Sequence, residues 1–342
     1  MKNNPHRAII IWLLSGCFLI YTMVVIGGIT RLTHSGLSMV EWNPIIGSLP
    51  PMSDEAWQIP FEKYKQSPEY QLINNQFTLE EFKSIYCWEY IHRLLGRTIG
   101  VIFLLPFFYF LAKKKFDKPF LKKMYVLLLL GALQGVLGWF MVKSGLQKEP
   151  HVSHFRLAAH LISAFTVFGF TFWYALDLLY PTEIIENGRS KRIKRLSKIL
   201  FASIVLQIIY GAFVAGLRAG LFYNTYPLMG DSYMPDTVSS FDTFWKNCLE
   251  NPSGVQFLHR NIAIMVATLV VIVWIQTKKM IPTDLQRKAG NFMMAVLFVQ
   301  FFLGIITLLY AVPVTLGVLH QTGAFFLFAS SLFFMHSLRR AS

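Results

Sequence analysis

Eight apolar stretches, each long enough to cross a bilayer, constrain this chain more than any other feature. They cover roughly residues 8–28, 89–112, 124–143, 156–180, 197–217, 256–277, 291–311 and 314–336, and about 20 residues suffice for a spanning helix. In hydrocarbon every backbone N–H and C=O must be bonded within the protein, which leaves only helices or closed barrels. Barrel strands are shorter and alternate in polarity; these stretches do neither. The sequence therefore predicts an all-α integral membrane protein with eight transmembrane helices, and the 54% hydrophobic content agrees. The first stretch follows Lys2 and Arg7 as a secretory signal would. It is too long for a signal core and shows no small-residue cleavage site, so a retained helix is expected. With no Arg-rich, acid-poor transit peptide, a bacterial plasma membrane is expected rather than an organelle.

The formal net charge of +14 reads as topology and not as nucleic-acid binding. With the N-terminus inside, the cytoplasmic segments hold Lys2, Arg7, the 113–123 and 189–198 clusters, Lys278, Lys279, Arg287, Lys288, Arg339 and Arg340. These are 20 of the 32 basic residues, against 5 of the 18 acidic ones. Such a bias places both termini in the cytoplasm. Of the three cysteines, Cys17 lies within the first span, while Cys87 and Cys248 fall on the outer side, where oxidation is possible. A Cys87–Cys248 bridge is conceivable, but two separate free thiols are expected.

Two outer segments are long, about 29–88 and 218–255, and each follows the first span of a group of four. The residues repeat as well. The second span opens Glu89-Tyr-Ile-His92-Arg93 and the sixth opens Gln256-Phe-Leu-His259-Arg260. His160 and His320 sit near the outer ends of the fourth and eighth spans. The third, fifth and seventh share Gln-x3-Gly, as Gln134/Gly138, Gln207/Gly211 and Gln300/Gly304. The pattern predicts two parallel four-helix-bundle repeats, residues 1–185 and 186–342, joined by a basic linker around 183–196. The glycines are expected to let helices approach closely. The glutamines either bond across helices or reach a ligand.

Nine histidines occur. His6 and His336 lie at cytoplasmic helix ends, and His34, His151 and His154 lie in or beside outer loops and are expected to face solvent. His92, His160, His259 and His320 lie inside apolar helices, where ionisable groups are costly and mark functional sites. One such histidine is ambiguous, since it can equally bond a carbonyl on a neighbouring helix. Four at matching positions in two repeats pair as His92 with His160 and His259 with His320. Neutral imidazole ligates iron, and haem is held through axial ligands of this kind. Zinc and copper sites usually add thiolate or carboxylate ligands, and here only Glu89 is near. Four-helix bundles commonly hold cofactors between facing helices, so two haem sites are expected.

Arginines accompany the histidines. Arg93 and Arg260 follow His92 and His259 directly, and Arg156 lies one turn before His160 on the same face. A guanidinium fork suits an anionic haem propionate; the alternative is interfacial snorkelling. The halves differ at one telling position. Glu89 and Gln256 each share a helix face with the histidine three residues on, yet only Glu can carry charge or move a proton. Chemistry is therefore expected in the N-terminal half and electron handling in the C-terminal half, unless Glu89 only orients His92 or pairs with an arginine.

Further segments carry a resemblance. They are Gly27-Gly-Ile-Thr-Arg-Leu-Thr-His-Ser-Gly-Leu-Ser38, Trp42-Asn-Pro, Leu49-Pro-Pro51, Glu69-Tyr70, Glu80-Glu-Phe-Lys83, Glu89-x-x-His92-Arg93 and Arg156-Leu-Ala-Ala-His160. In the second half they are Gly211-Ala-Phe-Val-Ala-Gly-Leu-Arg-Ala-Gly220, Tyr223-Asn-Thr-Tyr-Pro-Leu-Met229, Gln256-Phe-Leu-His259-Arg260 and Leu319-His-Gln321. Together these resemble the haem A synthase family over nearly the whole chain, and the long first outer loop looks like its mitochondrial and proteobacterial branch. The resemblance implies oxidation of a haem O methyl group to the formyl group of haem A, for use in cytochrome oxidase. It implies His259 and His320 as axial ligands of a haem b cofactor, His92 and His160 as ligands of the substrate haem O, and Glu89 as the catalytic acid. It implies as partners a haem O synthase, an unidentified electron donor, membrane lipid and a possible second copy of the chain. Another branch carries a cysteine pair in each long outer loop; those pairs are missing here, so no disulfide-dependent step is expected. A membrane cytochrome b that only carries electrons is the competing reading. It accounts for the histidines but not for the Glu89/Gln256 difference or the large outer loops. A transporter fits less well, since its polar groups would lie at the midplane.

Overall fold

A computed structural model describes residues 5–41, 50–145, 152–181, 188–280 and 282–339. Trp42-Asn-Pro, Leu49, His151, Lys2, Arg340 and residues 183–187 of the linker lie outside the described residues. The elements are helical throughout: α1 (Arg7–Leu32), α2 (Asp54–Lys65), α3 (Pro68–Leu72), α4 (Leu79–Ala112), α5 (Lys118–Gly145), α6 (His154–Leu179), α7 (Gly188–Gly216), α8 (Phe244–Leu249), α9 (Pro252–Lys278), α10 (Asp284–Leu309) and α11 (Val314–Ser337). Eight of these, all but α2, α3 and α8, are long and apolar enough to cross a membrane. The chain is an all-α, multi-pass membrane protein.

Local chemistry sets the helix boundaries. Thr78 caps α4 while Glu81 reaches back to the Thr78 N–H, a reciprocal capping box; Thr283 and Gln286 do the same for α10. This cap starts α4 about ten residues before the apolar stretch begins, so the helix carries a polar extension beyond its span. Asn251 caps α9 through Ser253 and Gly254, with Pro252 in the first turn, where its missing N–H costs nothing. Ala311 and Val312, both with φ near +55°, reverse the chain between α10 and α11 in a conformation L-residues adopt at some cost.

Two compact units form: Ser15–Val167, and Phe168–Ser342 with Met1–Leu14. In the first, the long outer segment is not a bare loop, because it folds into α2 and α3 against the extension of α4. Phe61, Tyr64, Phe82, Ile85 and Tyr86 form its core with Met39 and the flanking Trp57 and Tyr70. The rings interlock, with Trp57–Tyr86, Phe61–Phe82 and Tyr64–Phe82 centroids each 5.1 Å apart. In the second unit α7 packs on α9, α9 on α10, α10 on α11 and α11 back on α7. Near the far end of α11, His336 is fully buried and bonds Asp177 (3.1 Å), which also pairs with Arg339 (2.7 Å). Sequence placed His336 only at a helix end. Cys17, Cys87 and Cys248 are all free thiols.

Candidate functional site

The four membrane histidines lie on α4, α6, α9 and α11. His92 and His160 are near enough to interact electrostatically, as are His259 and His320. Each ring faces a glycine on the preceding span. A Cβ on Gly27 would lie 3.5 Å from His92 Nε2, one on Gly138 3.4 Å from His160 Cε1, one on Gly211 3.3 Å from His259 Cε1, and one on Gly304 2.8 Å from His320 Cε1. The glycines thus clear space for rings as well as for helix packing. Two of the three glutamines of the Gln-x3-Gly pattern turn toward the same histidine. The Gln134 and Gln207 amide nitrogens lie 3.4 Å from Nε2 of His160 and His259, whereas the Gln300 side chain lies beside Gly323 with its amide oxygen buried and without a hydrogen-bond partner among the described residues. Among the described residues the buried Nδ1 atoms of His160, His259 and His320 find no hydrogen-bond partner. Among the described residues no cluster of three or more His, Cys, Asp and Glu side chains could hold a metal ion. Two imidazoles with an unsatisfied ring nitrogen suit an iron whose remaining positions are filled by a porphyrin.

Glu89 is 2% exposed and has every acceptor direction used. Oε1 accepts from Arg93 Nε (3.1 Å) and Nη2 (2.6 Å), while Oε2 accepts from the Ser38 hydroxyl (2.7 Å) and the Met39 N–H (2.8 Å). Arg93 also donates to the Met39 and Glu41 carbonyls, both at 2.8 Å. The other half repeats the design with neutral chemistry. Gln256, also 2% exposed, donates to the Tyr223 carbonyl (3.1 Å), and Arg260 donates to the carbonyls of Tyr223 (2.8 Å), Thr225 (2.9 Å) and Leu228 (3.1 Å). In both halves, then, the side chains at the helix opening clamp the backbone that follows the preceding span. Arg93 turns Nε, Nη1 and Nη2 to this clamp, while Arg260 uses Nη1 and Nη2 and keeps Nε buried without a hydrogen-bond partner among the described residues. Arg156 instead lies half-buried over Phe140, 4.9 Å from the ring centre. His34 is exposed just past α1, and His154 rests against Phe155 (4.0 Å).

The outer segment adds a buried acid, Glu69, that the sequence marked only through the Glu69-Tyr70 segment and gave no role. Glu69 accepts from the Tyr64 hydroxyl (3.2 Å), which in turn accepts from Asn74 Nδ2 (2.8 Å). Burial pushes the Glu69 carboxyl up to about 7, the Tyr64 hydrogen bond pulls it down, and the charge of Glu89 adds to the rise. Ser38 and Met39 were equally invisible as partners of Glu89, because one contributes a small hydroxyl and the other only its backbone.

The sequence profile of a family described as cytochrome oxidase assembly protein, COX15-CtaA, matches residues 10–332. The chain belongs to that family. A Flavobacterium psychrophilum protein named Heme A synthase is 49% identical over 340 residues, which cover 98% of this chain and 99% of that protein. Proteins of the same name from Flavobacterium johnsoniae (48% over 342 residues, 99% and 100% covered) and Nitrosospira multiformis (47% over 340 residues, 99% and 96% covered) are similar along their whole length. For this member of the COX15-CtaA family, the match covers both histidine pairs and the Glu89 clamp.

Proposed function

We propose that this chain is a haem A synthase, an oxidoreductase that converts a methyl group of haem O into the formyl group of haem A for cytochrome oxidase. One observation carries the reading: two glycine-cradled histidine pairs that differ in the residue beside them, a buried glutamate in one half and a glutamine in the other. The relatives named Heme A synthase support it, being nearly half identical over the full length. The chain is read as two four-helix repeats of the same sense, residues 1–185 and 186–342. Both termini lie in the cytoplasm, and the haem sites lie near the outer face of a bacterial inner membrane.

In this reading His92 and His160 hold the iron of the substrate haem O, and His259 and His320 hold haem b. Haem b supplies a one-electron redox centre when bound. The rest of the work falls to the protein. Glycines 27 and 138 let the substrate-side rings sit close to neighbouring helices, and Arg156 is the arginine best placed for a propionate. The Glu89 carboxylate is fixed by Arg93 on one edge and by Ser38 and Met39 on the other, so it needs no reorganisation during the reaction. A negative charge preset in that way stabilises positive charge as it develops at the methyl carbon. Gln256 offers neither charge nor a proton, which suits a site that only passes electrons. A haem O synthase supplies the substrate, and an electron-transfer partner completes the redox balance.

Haem extraction and chromatography from cells that make haem O, with and without the chain, test this directly. Haem A is expected only in cells that contain it. Unaltered haem O, alongside folded protein carrying haem b, would instead make the chain a b-type electron carrier.

A further inference from the structure

Glu69 is a buried acid that the proposed chemistry leaves unused. It lies on α3, 5% exposed. Among the described residues one side chain bonds its carboxyl, Tyr64 of α2, through the hydroxyl (3.2 Å). That hydroxyl accepts from Asn74 Nδ2 (2.8 Å), so its own proton points at the carboxyl. Tyr64 stacks on Phe82 (5.1 Å) in the small core that also contains Met39, and the Met39 N–H bonds Glu89 (2.8 Å). One core therefore holds two buried carboxyls, close enough for the charge of Glu89 to act on Glu69.

The two are partnered in opposite ways. Glu89 receives two hydrogen bonds from the Arg93 guanidinium and one each from Ser38 and Met39, so a proton arriving there must displace one of them. Glu69 receives one bond, from a neutral hydroxyl, and pairs with no described cation. Burial and the charge of Glu89 both favour its protonated form, and the Tyr64 bond opposes them, which leaves the carboxyl at about 7. Burial also pushes the Tyr64 hydroxyl up, so the phenol keeps its proton and remains a donor. These are the titratable groups that face Glu69, Tyr64 from α2 and Glu89 from α4. Where the surroundings of two carboxyls differ in this way, one serves as a fixed charge and the other as the acid or base.

Oxidation of a methyl group to a formyl group moves protons whatever supplies the oxygen. A methyl group and one water give a formyl group, four protons and four electrons, the electrons passing to a one-electron acceptor. A methyl group with two dioxygen molecules, four protons and four electrons from a one-electron donor gives a formyl group and three waters. We propose that Glu69 is the proton reservoir of the N-terminal site, exchanging these protons with solvent while Glu89 keeps its charge. Glu69 acts as a relay, without touching the reacting atoms. The inference rests on the synthase reading above.

The test is the pH profile of haem A formation in isolated membranes of cells that make haem O and contain the full-length chain. Product is read by chromatography and normalised to the haem b spectrum. The wild type should inflect near pH 7, rising with pH if water supplies the oxygen and Glu69 accepts protons, falling if dioxygen does and Glu69 donates them. Glu69→Gln should lose the inflection and lower formation by about 10-fold or more. Tyr64→Phe, which removes the bond that pulls the carboxyl down, should move the inflection to higher pH. Infrared titration of the purified protein gives a readout apart from turnover: a protonated-carboxyl band lost as pH rises through about 7 and missing in Glu69→Gln. If Glu69→Gln does not accumulate as folded protein, the shift in Tyr64→Phe decides. Haem A formation with a profile unmoved by both variants, or the same infrared band in Glu69→Gln, overturns the proposal and leaves the synthase reading standing. No haem A from the wild type at any pH overturns that reading itself, and the inference falls with it.

Discussion

Changing Glu89 to glutamine copies the residue that Gln256 supplies in the other half, but the surroundings do not match. All four partners of Glu89 are donors, so an amide must turn its NH₂ toward N–H or O–H groups on one edge. Haem A formation in Glu89→Gln is expected to fall by about 100-fold or more while both haems stay bound, as read by product chromatography against the haem spectrum. Normal turnover would remove Glu89 from the chemistry. Arg93→Ala strips the buried carboxylate of its ion-pair partner and should destabilise the fold by about 3 kcal/mol or more, visible as a lower thermal midpoint. Gly304→Ala puts a methyl 2.8 Å from the His320 ring and should lower the bound haem b, with a smaller effect at Gly211, where the contact with His259 is 3.3 Å. Histidines and a glutamate inside apolar helices are legible in a sequence because membranes make them costly. Ser38 and Met39 are not legible as partners of Glu89, because a small hydroxyl and a backbone N–H beside such a helix announce nothing until their neighbours are known.

At the scale of elements, the spans were readable from their hydropathy, and their ends were not. The start of α4 depends on the Thr78–Glu81 box, well outside the apolar stretch. The segment that sequence left as a loop folds into α2 and α3 because Phe61, Tyr64 and Trp57 find Phe82 and Tyr86 on α4, a pairing that no periodicity within the loop reveals. That small core buries Glu69, which has a consequence for pH. Its carboxyl is raised from 4.5 to about 7, so between those values the folded chain keeps a proton that the unfolded chain has released. The stability contributed by Glu69 is therefore full below about pH 4.5, falls as pH rises toward 7, and is level above it. Glu69→Gln, neutral at every pH, should flatten that part of a thermal-unfolding profile; an unchanged slope would show that another group is responsible. At α9, Asn251→Ala removes a cap that also bonds the Thr237 carbonyl (2.7 Å) and Asn247 (2.9 Å). A loss of about 1–2 kcal/mol is expected, measurable as faster proteolysis of the outer segment before α9.

On the scale of the whole molecule, the sequence displays a duplicated plan and the structure supplies its working parts. The Glu89-x-x-His92-Arg93 and Gln256-x-x-His259-Arg260 openings are related by eye. Their common task of clamping the preceding loop became visible only with the hydrogen bonds to Met39 and Tyr223. The clamp occurs twice, charged at Glu89 and neutral at Gln256, and the proposed division of labour rests on that difference. The most direct test is the haem content of two purified double variants made in cells that supply haem O. His92→Ala/His160→Ala is expected to carry haem b and neither haem O nor haem A. His259→Ala/His320→Ala is expected to lack haem b and to hold haem O unconverted. Haem O or haem A in the first variant, or haem b retained in the second, would contradict the assignment of substrate to the N-terminal half and cofactor to the C-terminal half.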